Sequence, residues 1–207
     1  GESRGERGDV ELLDSFITKY DVTVLVFPTP KVEMERKSYK AKLFEVIPKE
    51  NILLVDSDIL IANSIPSFLS RLTQHPCPCY SIAMFTDRGN EGWRQPFHTG
   101  VILLNRENSG PCLDEWMSLM QSGAYNRDQD AILHLASHTC ALREMPARDI
   151  MFPTATHLVA MTKGKAQGES VPTFVHFTKG RMRSISSSVR KDFARKYLHL
   201  QEHWTGD

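Results

Sequence analysis

The chain has 207 residues, the length of one domain with a substantial core. Its 25 Lys and Arg residues balance its 25 Asp and Glu residues, so no global basic field favours nucleic acid as a partner. No run of 18 apolar residues is present, and the polar residues 1–9 lack the pattern of a signal peptide. We therefore predict a flexible N-terminus at residues 1–9 and one domain at residues 10–207, with no nucleic-acid partner and no membrane span in this segment.

Four cysteines are present, Cys77, Cys79, Cys112 and Cys140. Their number and spacing do not match a disulfide scaffold. A metal site at Cys77 and Cys79 would need further ligands at a suitable spacing, and the neighbouring sequence has none. We interpret this pair as loop cysteines without a catalytic role, and the cysteines leave the redox compartment open.

Apolar residues recur at helical and extended spacings along the chain. We predict, in order, a helix at residues 10–17, a strand at 22–27, a helix at 32–47, a strand at 52–61, a helix at 64–73, and strands at 80–85 and 97–105. Helices follow at 111–121 and 128–135, then short strand-like pieces at 151–160, a strand at 173–177, and a basic amphipathic helix whose apolar stripe is Val189, Phe193, Tyr197 and Leu200. Strands that are apolar almost throughout, alternating with helices, indicate a parallel sheet covered on both faces. We therefore predict an α/β fold with a mostly parallel central sheet flanked by helices.

Two carboxylates, Asp56 and Asp58, interrupt the apolar strand predicted at residues 52–61. Burying even a neutral polar group without a partner costs roughly 2–7 kcal/mol, and an unpaired charge costs more. In an extended chain, alternate residues face the same side about 6–7 Å apart, so both carboxylates can bind one hard divalent cation. The alternative is that one aspartate caps the next helix and the other pairs with a buried Arg or Lys.

His176 lies in the last predicted strand and is followed by a basic turn that contains Lys179, Gly180, Arg181 and Arg183. A neutral imidazole can ligate Mn²⁺, and with two carboxylates it leaves octahedral positions for phosphate oxygens. A basic turn with a glycine can bind a diphosphate. The combination predicts a site for a metal and a diphosphate, although a single histidine on an apolar strand is usually a core or surface residue.

Polar residues at two further places can line the same cleft. Asp128, Gln129 and Asp130 open a predicted helix, where acids complement the helix dipole and where carboxylates and an amide can also bind sugar hydroxyls. His98 and Gly100 lie at the start of another predicted strand, and the glycine indicates close approach to the backbone.

The motifs also carry a resemblance in their order and spacing. The sequence resembles the motif set of GT-A glycosyltransferases at residues 42–44, 54–65, 98–105, 128–133 and 175–180. It is most similar to the retaining family eight group, which includes glycogenin and bacterial lipopolysaccharide galactosyltransferases. The resemblance covers roughly residues 40–183 and implies a single GT-A domain that uses a nucleotide diphosphate sugar as its donor.

The resemblance implies a metal site and a sugar site. Asp56, Asp58 and His176 match the ligands of a catalytic Mn²⁺, with Mg²⁺ as the other possible ion, and Asp56 also matches a contact to the donor ribose region. Asp128 and Gln129 match the pair that contacts the donor sugar.

The resemblance also implies contacts to the rest of the donor. Lys179 and Gly180 match the residues that bind its diphosphate, and Arg181 is a further candidate. Lys42 matches a lysine near the donor, although Lys40 competes for that assignment.

Two candidates remain in the same region. Asp130 is a further catalytic candidate beside the sugar-binding pair. His98 stands where the family usually has Asn.

The chain departs from the family pattern at both ends of the resemblance. The family's first strand, which binds the uracil base, lies well upstream of the paired aspartates, whereas residues 22–27 lie only about thirty residues before them. Either this strand is absent from the chain, which begins without Met, or residues 22–27 replace it with a shorter connection. After His176, the chain has Arg181 and Arg183 instead of the usual Lys-Pro-Trp ending.

We predict a metal-dependent glycosyltransferase that moves a hexose from a nucleotide diphosphate sugar, with a UDP-sugar favoured, to a hydroxyl of a glycan, protein or lipid, with retention. Two alternatives stay open: a non-catalytic GT-A-like module that binds a glycan or another partner, and a metal-dependent nucleotidyltransferase or phosphohydrolase. We expect the Golgi or secretory lumen if the protein is eukaryotic and an N-terminal anchor is missing, and otherwise the cytoplasm.

Overall fold

The computed structural model describes residues 37–73, 80–86, 97–136, 138–163, 172–177 and 185–197. The described strands are β1 (Asn51–Val55), β2 (Ile59–Ile61), β3 (Ile82–Thr86), β4 (Phe97–Asn105), β5 (Leu142–Met145), β6 (Ile150–Met151) and β7 (Phe174–His176). The described helices are α1 (Leu43–Val46), α2 (Ile65–Thr73), α3 (Arg106–Gln121), α4 (Asp128–Ala136), α5 (Ala155–Thr162) and α6 (Ser187–Tyr197). This mixture confirms the predicted α/β class. Among these helices, none is long and apolar enough to cross a membrane.

The strands form two sheets of mixed polarity. The larger sheet has the order β1-β4-β3-β5, and β4 is antiparallel to both of its neighbours, whereas β3 and β5 are parallel. The smaller sheet has the order β2-β7-β6, with an antiparallel and a parallel pairing. The prediction of a mostly parallel sheet is therefore wrong for the described strands. Residues of β4 are buried on both faces, and such burial produces an apolar sequence whichever way the strand runs.

The sequence pattern predicts one strand at residues 52–61, but this acidic stretch forms two strands joined by a turn. β1 ends at Val55, and the amide of Ile59 donates to the carbonyl of Asp56 at 3.1 Å, which closes a turn before β2. β1 belongs to the larger sheet and β2 to the smaller one. Asp56 and Asp58 therefore lie in a turn between the two sheets rather than on one face of an extended strand.

The two faces of the larger sheet have separate apolar cores. Ile102 and Leu104 of β4 belong to a core that includes Trp116 of α3 and Ile132 of α4. Because side chains alternate along a strand, their neighbours in β4 contribute to the core on the opposite face. Both helices thus pack on one side of β4, and α4 carries candidate site residues at its first turn.

Three phenylalanines join the two sheets on that opposite face. Phe68 of α2, Phe85 of β3 and Phe174 of β7 are fully buried, and the centroid of the Phe68 ring lies 5.0 Å from that of Phe174 and 6.2 Å from that of Phe85. The centroids of Phe85 and Phe174 are 5.7 Å apart. Buried aromatic side chains contribute large apolar areas, so this cluster fixes β7 against the larger sheet.

The structure confirms some of the other predicted helices and strands and contradicts others. The helix at residues 64–73 and the strand at residues 97–105 are confirmed as α2 and β4. Of the strand-like pieces predicted at 151–160, Met151 lies in the strand β6, but residues 155–160 belong to the helix α5, because Thr154 caps this helix and forms a capping box with His157. β5 is an element that the sequence pattern did not predict. Predictions for residues 1–9, 10–17, 22–27, Cys77, Cys79 and Leu200 lie outside the described residues.

A disulfide joins Cys112 and Cys140, 28 residues apart in the sequence. Cys112 lies in α3 and Cys140 lies just before β5, and both side chains are buried in the core. The spacing of the four cysteines did not predict this bond, because the two residues meet only after α3 and α4 have packed against each other. The disulfide thus closes a loop that contains all of α4.

We expect the double substitution Cys112→Ala and Cys140→Ala to lower the free energy of unfolding. Closing a loop of this length restricts the unfolded chain by an amount worth roughly 3–4 kcal/mol in the chain-entropy account. Urea unfolding of the variant and the wild type measures the difference. Equal midpoints and equal slopes for the two proteins would contradict a stabilising role.

Candidate active site

A cleft of about 500 Å³ lies where the turn between β1 and β2 meets the start of β4, the start of α4 and the end of β7. All of its lining residues have polar or charged side chains: Lys37, Lys40, Asp56, Ser57, Asp58, His98, Thr99, Arg127, Asp128, Gln129 and His176. The fold therefore brings together five site residues predicted from distant parts of the sequence: Asp56, Asp58, Asp128, Gln129 and His176.

Each aspartate of the turn is attached to a different sheet through its backbone. The amide of Asp56 donates to the carbonyl of Gly100 at 2.8 Å, which continues the pairing of β1 with β4. The carbonyl of Asp58 accepts from the amide of Phe177 at 2.8 Å, beyond the end of β7. The side chains of Asp56 and Asp58 are 33% and 48% exposed, so both carboxylates remain accessible from the cleft.

His176 places a buried imidazole beside Asp58. Its Nε2 atom lies 3.2 Å from Oδ1 of Asp58, while its Nδ1 atom is buried and has no hydrogen-bond partner in the part of the chain that the structure describes. Burial lowers the pKa of His176, and the opposing effects of Asp58 and Asp56 do not restore it. His176 is therefore neutral near pH 7, which is the form that ligates metals.

The buried ring of His98 packs against the ring of His176. The two ring centroids are 4.5 Å apart with the ring planes nearly perpendicular, and Phe152 packs against both rings. Nδ1 of His98 accepts from the amide of Gly100 at 2.9 Å. Burial, followed by the influence of His176 and Lys40, lowers the pKa of His98 to about 3. His98 is therefore a neutral ring that carries its proton on Nε2.

Lys40 makes the ion pairs at the centre of the cleft. Its Nζ atom lies 2.9 Å from Oδ1 of Asp56 and 3.4 Å from Oδ2 of Asp128, and it donates to the carbonyl of Thr99 at 3.1 Å. Lys42, the residue that the resemblance favoured, does not line the cleft and lies with its Nζ 6.0 Å from the ring centroid of Tyr39. The structure thus places Lys40, and not Lys42, in the candidate site.

Asp128 is the buried carboxylate of the cleft. The hydroxyl of Thr99 donates to its Oδ2 at 2.9 Å, and Lys37 lies 3.9 Å from its Oδ1. Its backbone carbonyl accepts from the indole of Trp116 at 3.1 Å, which anchors the start of α4 to α3. Burial by itself raises the pKa of Asp128, but Lys40 and the hydrogen bond from Thr99 together lower it below its usual value. Asp128 is therefore ionised at neutral pH.

The other residues predicted near Asp128 have different positions. Gln129 lines the cleft. Asp130 does not line it, and its Oδ2 accepts from Nε of Arg127 at 3.2 Å. Arg127 does line the cleft, and its place just before a predicted acidic helix start was the only sequence signal for it. The remaining candidates Lys179, Gly180 and Arg181 lie outside the described residues.

The donor set matches a hard or borderline divalent cation in chemical type, since two carboxylates and one neutral imidazole suit Mn²⁺. Asp58 and His176 are adjacent and face the cleft, but Asp56 is turned to Lys40. Within the residues that the structure describes, no three His, Cys, Asp or Glu side chains are arranged to hold a metal. Asp58 and His176 are therefore already placed to bind one cation together. Asp56 must give up its ion pair with Lys40 to join them.

Comparison with known proteins identifies the fold. No protein-family model and no curated protein sequence matches the chain. A glycosyltransferase involved in the glycosylation of the major capsid of PBCV-1 matches it with a TM-score of 0.54 and 14% identity, over 86% of this chain and 91% of that one. The chain has a GT-A fold.

Two further glycosyltransferases match the GT-A domain with lower scores. The galactosyltransferase LgtC, in complex with donor and acceptor sugar analogues, has a TM-score of 0.48 and 16% identity over 82% of this chain and 70% of its own. GlyE of Streptococcus pneumoniae TIGR4 has a TM-score of 0.47 and 16% identity over 69% of this chain. The chain spans 37% of the length of GlyE.

We expect Gly100→Ala to destabilise the GT-A domain. A Cβ atom at this position would lie 2.6 Å from Cε1 of His98 and 3.1 Å from Cε1 of His176, so both rings of the packed pair would have to shift. Overpacking of a core typically costs about 1–3 kcal/mol. Thermal unfolding measures the loss.

Gly110→Ala is the matched control. Apart from its chain neighbours and the backbone of its own helix, a Cβ atom at Gly110 would have no heavy atom within 4 Å, and the residue lies inside α3. We expect this substitution to change stability by no more than about 1 kcal/mol, because alanine favours a helix more than glycine does, whereas Pro111 disfavours a helical conformation for a preceding residue that has a Cβ atom. The prediction for Gly100 fails if the two variants unfold at the same temperature.

Proposed function

We propose that the protein is a metal-dependent glycosyltransferase that transfers a hexose from a nucleotide diphosphate sugar, with a UDP-sugar favoured, to a hydroxyl acceptor. The observation that carries this proposal is the presence of Asp58 beside His176, and of the ion pair between Lys40 and Asp128, in one polar cleft. The first pair would serve the metal, and Asp128 would serve the donor sugar. The GT-A fold supports the same conclusion.

Asp58, His176 and Asp56 are the residues that would hold the cation, Mn²⁺ or Mg²⁺. When bound, it would act as a Lewis acid that neutralises the charge developing on the departing diphosphate. The low pKa of His176 keeps its imidazole unprotonated and available as a ligand across the neutral range.

Three basic side chains of the cleft add positive charge for the diphosphate. Lys37, Lys40 and Arg127 all line the cleft. Preorganised charges of this kind stabilise a leaving group because they need no reorganisation during the reaction. Contacts from Lys179, Gly180 and Arg181 remain predictions.

Asp128 and Gln129 are the residues that we assign to the donor sugar. Asp128 is ionised and already bound by Thr99 and Lys40, so it can accept hydrogen bonds from sugar hydroxyls but is poorly placed to act as a nucleophile. The amide of Gln129 is itself a poor nucleophile. Front-side attack fits this arrangement best. The acceptor oxygen bonds to the anomeric carbon as the carbon–phosphate oxygen bond breaks, and the acceptor proton passes to the departing phosphate.

The disulfide between Cys112 and Cys140 indicates the kind of compartment in which this reaction takes place. Disulfides persist mainly in oxidising environments. We therefore infer an oxidising compartment, which is the secretory lumen if the protein is eukaryotic, where glycan, protein and lipid hydroxyls are all candidate acceptors.

We expect Asp58→Asn to abolish Mn²⁺-dependent hydrolysis of a nucleotide sugar. Loss of a ligand removes several kcal/mol of charge stabilisation, equivalent to roughly a hundredfold or more in turnover. A screen of nucleotide sugars with Mn²⁺, measured as release of the nucleoside diphosphate, provides the assay. Asp114→Asn, on the exposed side of α3, is the matched control and should leave turnover unchanged.

Equal turnover in Asp58→Asn and the wild type would overturn the metal assignment. Calorimetry with UDP and Mn²⁺ separates the enzyme from a non-catalytic module. A module without donor chemistry should show no metal-dependent nucleotide binding.

We also expect the transferred sugar to keep its anomeric configuration. Front-side attack places the acceptor oxygen on the face from which the phosphate leaves. Proton NMR of the first product formed from an α-linked donor distinguishes the two outcomes, since an α-linked product supports retention and a β-linked product shows inversion.

A further inference from the structure

Lys40 bridges the carboxylates of Asp56 and Asp128, and every N–H donor of its ammonium group has a partner. The three N–H donors of its ammonium face three oxygen partners, on Asp56, Asp128 and the carbonyl of Thr99. The Lys40 side chain is only 17% exposed. An ammonium held in this way stays in the cleft as part of its charge balance.

The contact with Asp56 has a direct effect on metal binding. Asp58 lies 3.2 Å from His176, but the charged partner of Asp56 among the described residues is Lys40, at 2.9 Å. Asp56 can therefore join the other two ligands only after its bond to the ammonium is broken or shared. A divalent cation at that position would also lie next to a positive charge.

We propose that Lys40 is an internal counter-ion that competes with the divalent cation for Asp56, and that the nucleotide diphosphate relieves this competition. The inference rests on the proposed function, because it assumes the same metal and donor. A diphosphate placed between the two cations offsets their repulsion. Metal alone therefore binds weakly, and metal together with nucleotide binds cooperatively.

The contacts of Lys40 with Asp128 and Thr99 make this exchange feasible. When the ammonium leaves Asp56, it can keep its partners at 3.4 Å and 3.1 Å and still have a third donor for a phosphate oxygen. Asp128 also remains stabilised, since the hydroxyl of Thr99 holds the same carboxylate oxygen at 2.9 Å. The residue thus acts on the metal through Asp56 and is a positioning residue.

Titration of the wild type and Lys40→Met with Mn²⁺ alone, followed by calorimetry, tests the proposal. We expect Lys40→Met to bind Mn²⁺ roughly two- to fivefold more tightly, the range of a partly exposed ion pair. In a second titration with UDP present, the factor by which UDP tightens Mn²⁺ binding should be smaller in Lys40→Met than in the wild type. A variant that is merely damaged would bind Mn²⁺ more weakly.

Two other variants isolate the effect at Asp56. Lys40→Arg keeps the positive charge and should bind Mn²⁺ as the wild type does. Lys37→Met removes a positive charge whose ion pair, at 3.9 Å, is with Asp128, so it should tighten Mn²⁺ binding less than Lys40→Met does. If Lys40→Met does not fold, as judged by thermal unfolding, Lys40→Gln replaces it because the amide can still donate to the carbonyl of Thr99.

The remaining outcomes separate this inference from the proposed function. Mn²⁺ binding that is unchanged or weaker in a folded Lys40→Met variant, or equally tightened by Lys37→Met, overturns the role of Lys40. If the wild type still binds UDP in an Mn²⁺-dependent manner, the proposed function survives that result. A wild type that binds no Mn²⁺ with or without UDP overturns both.

Discussion

Two backbone hydrogen bonds hold the turn between β1 and β2, and the cleft depends on them. One joins the amide of Asp56 to β4, and the other joins the carbonyl of Asp58 to the residue after β7. Because these strands belong to different sheets, the turn is fixed at both ends while its side chains stay accessible. The carboxylates therefore need no strand of their own to be positioned. They lie at the junction where a ligand can contact both sheets.

The charges of the cleft are balanced among its own residues. The carboxylates of Asp56 and Asp128 share Lys40, and both histidines are neutral because they are buried. Such sharing lowers the cost of removing the carboxylates from water. It also means that adding or removing a single charge upsets this balance. An incoming cation and an incoming anion each disturb the balance, whereas a pair of them disturbs it much less.

The sequence predicted which residues meet in the site better than it predicted the direction of the strands that carry them. Asp58 and His176 could be paired from their residue types and their order in the resemblance, and α2 and β4 follow from local periodicity. Strand polarity could not be predicted, because two-sided burial produces the same apolar pattern in either direction. The choice between Lys40 and Lys42 could not be predicted either, since the partners of Lys40 lie in β4 and α4 and sequence spacing says nothing about such distant contacts.

The smaller sheet has short strands, so side chains must supply part of what holds it in place. Arg71 of α2 lies 2.5 Å from the buried carboxylate of Asp149, and the hydroxyl of Thr173 donates to the same oxygen at 2.9 Å. Thr173 directly precedes β7, and β7 carries His176. A buried ion pair adds little net stability because both charges lose water, but its geometry is specific. This network therefore sets the register at which β7 presents its histidine to the turn, while the phenylalanine cluster supplies the energy that holds the strand there.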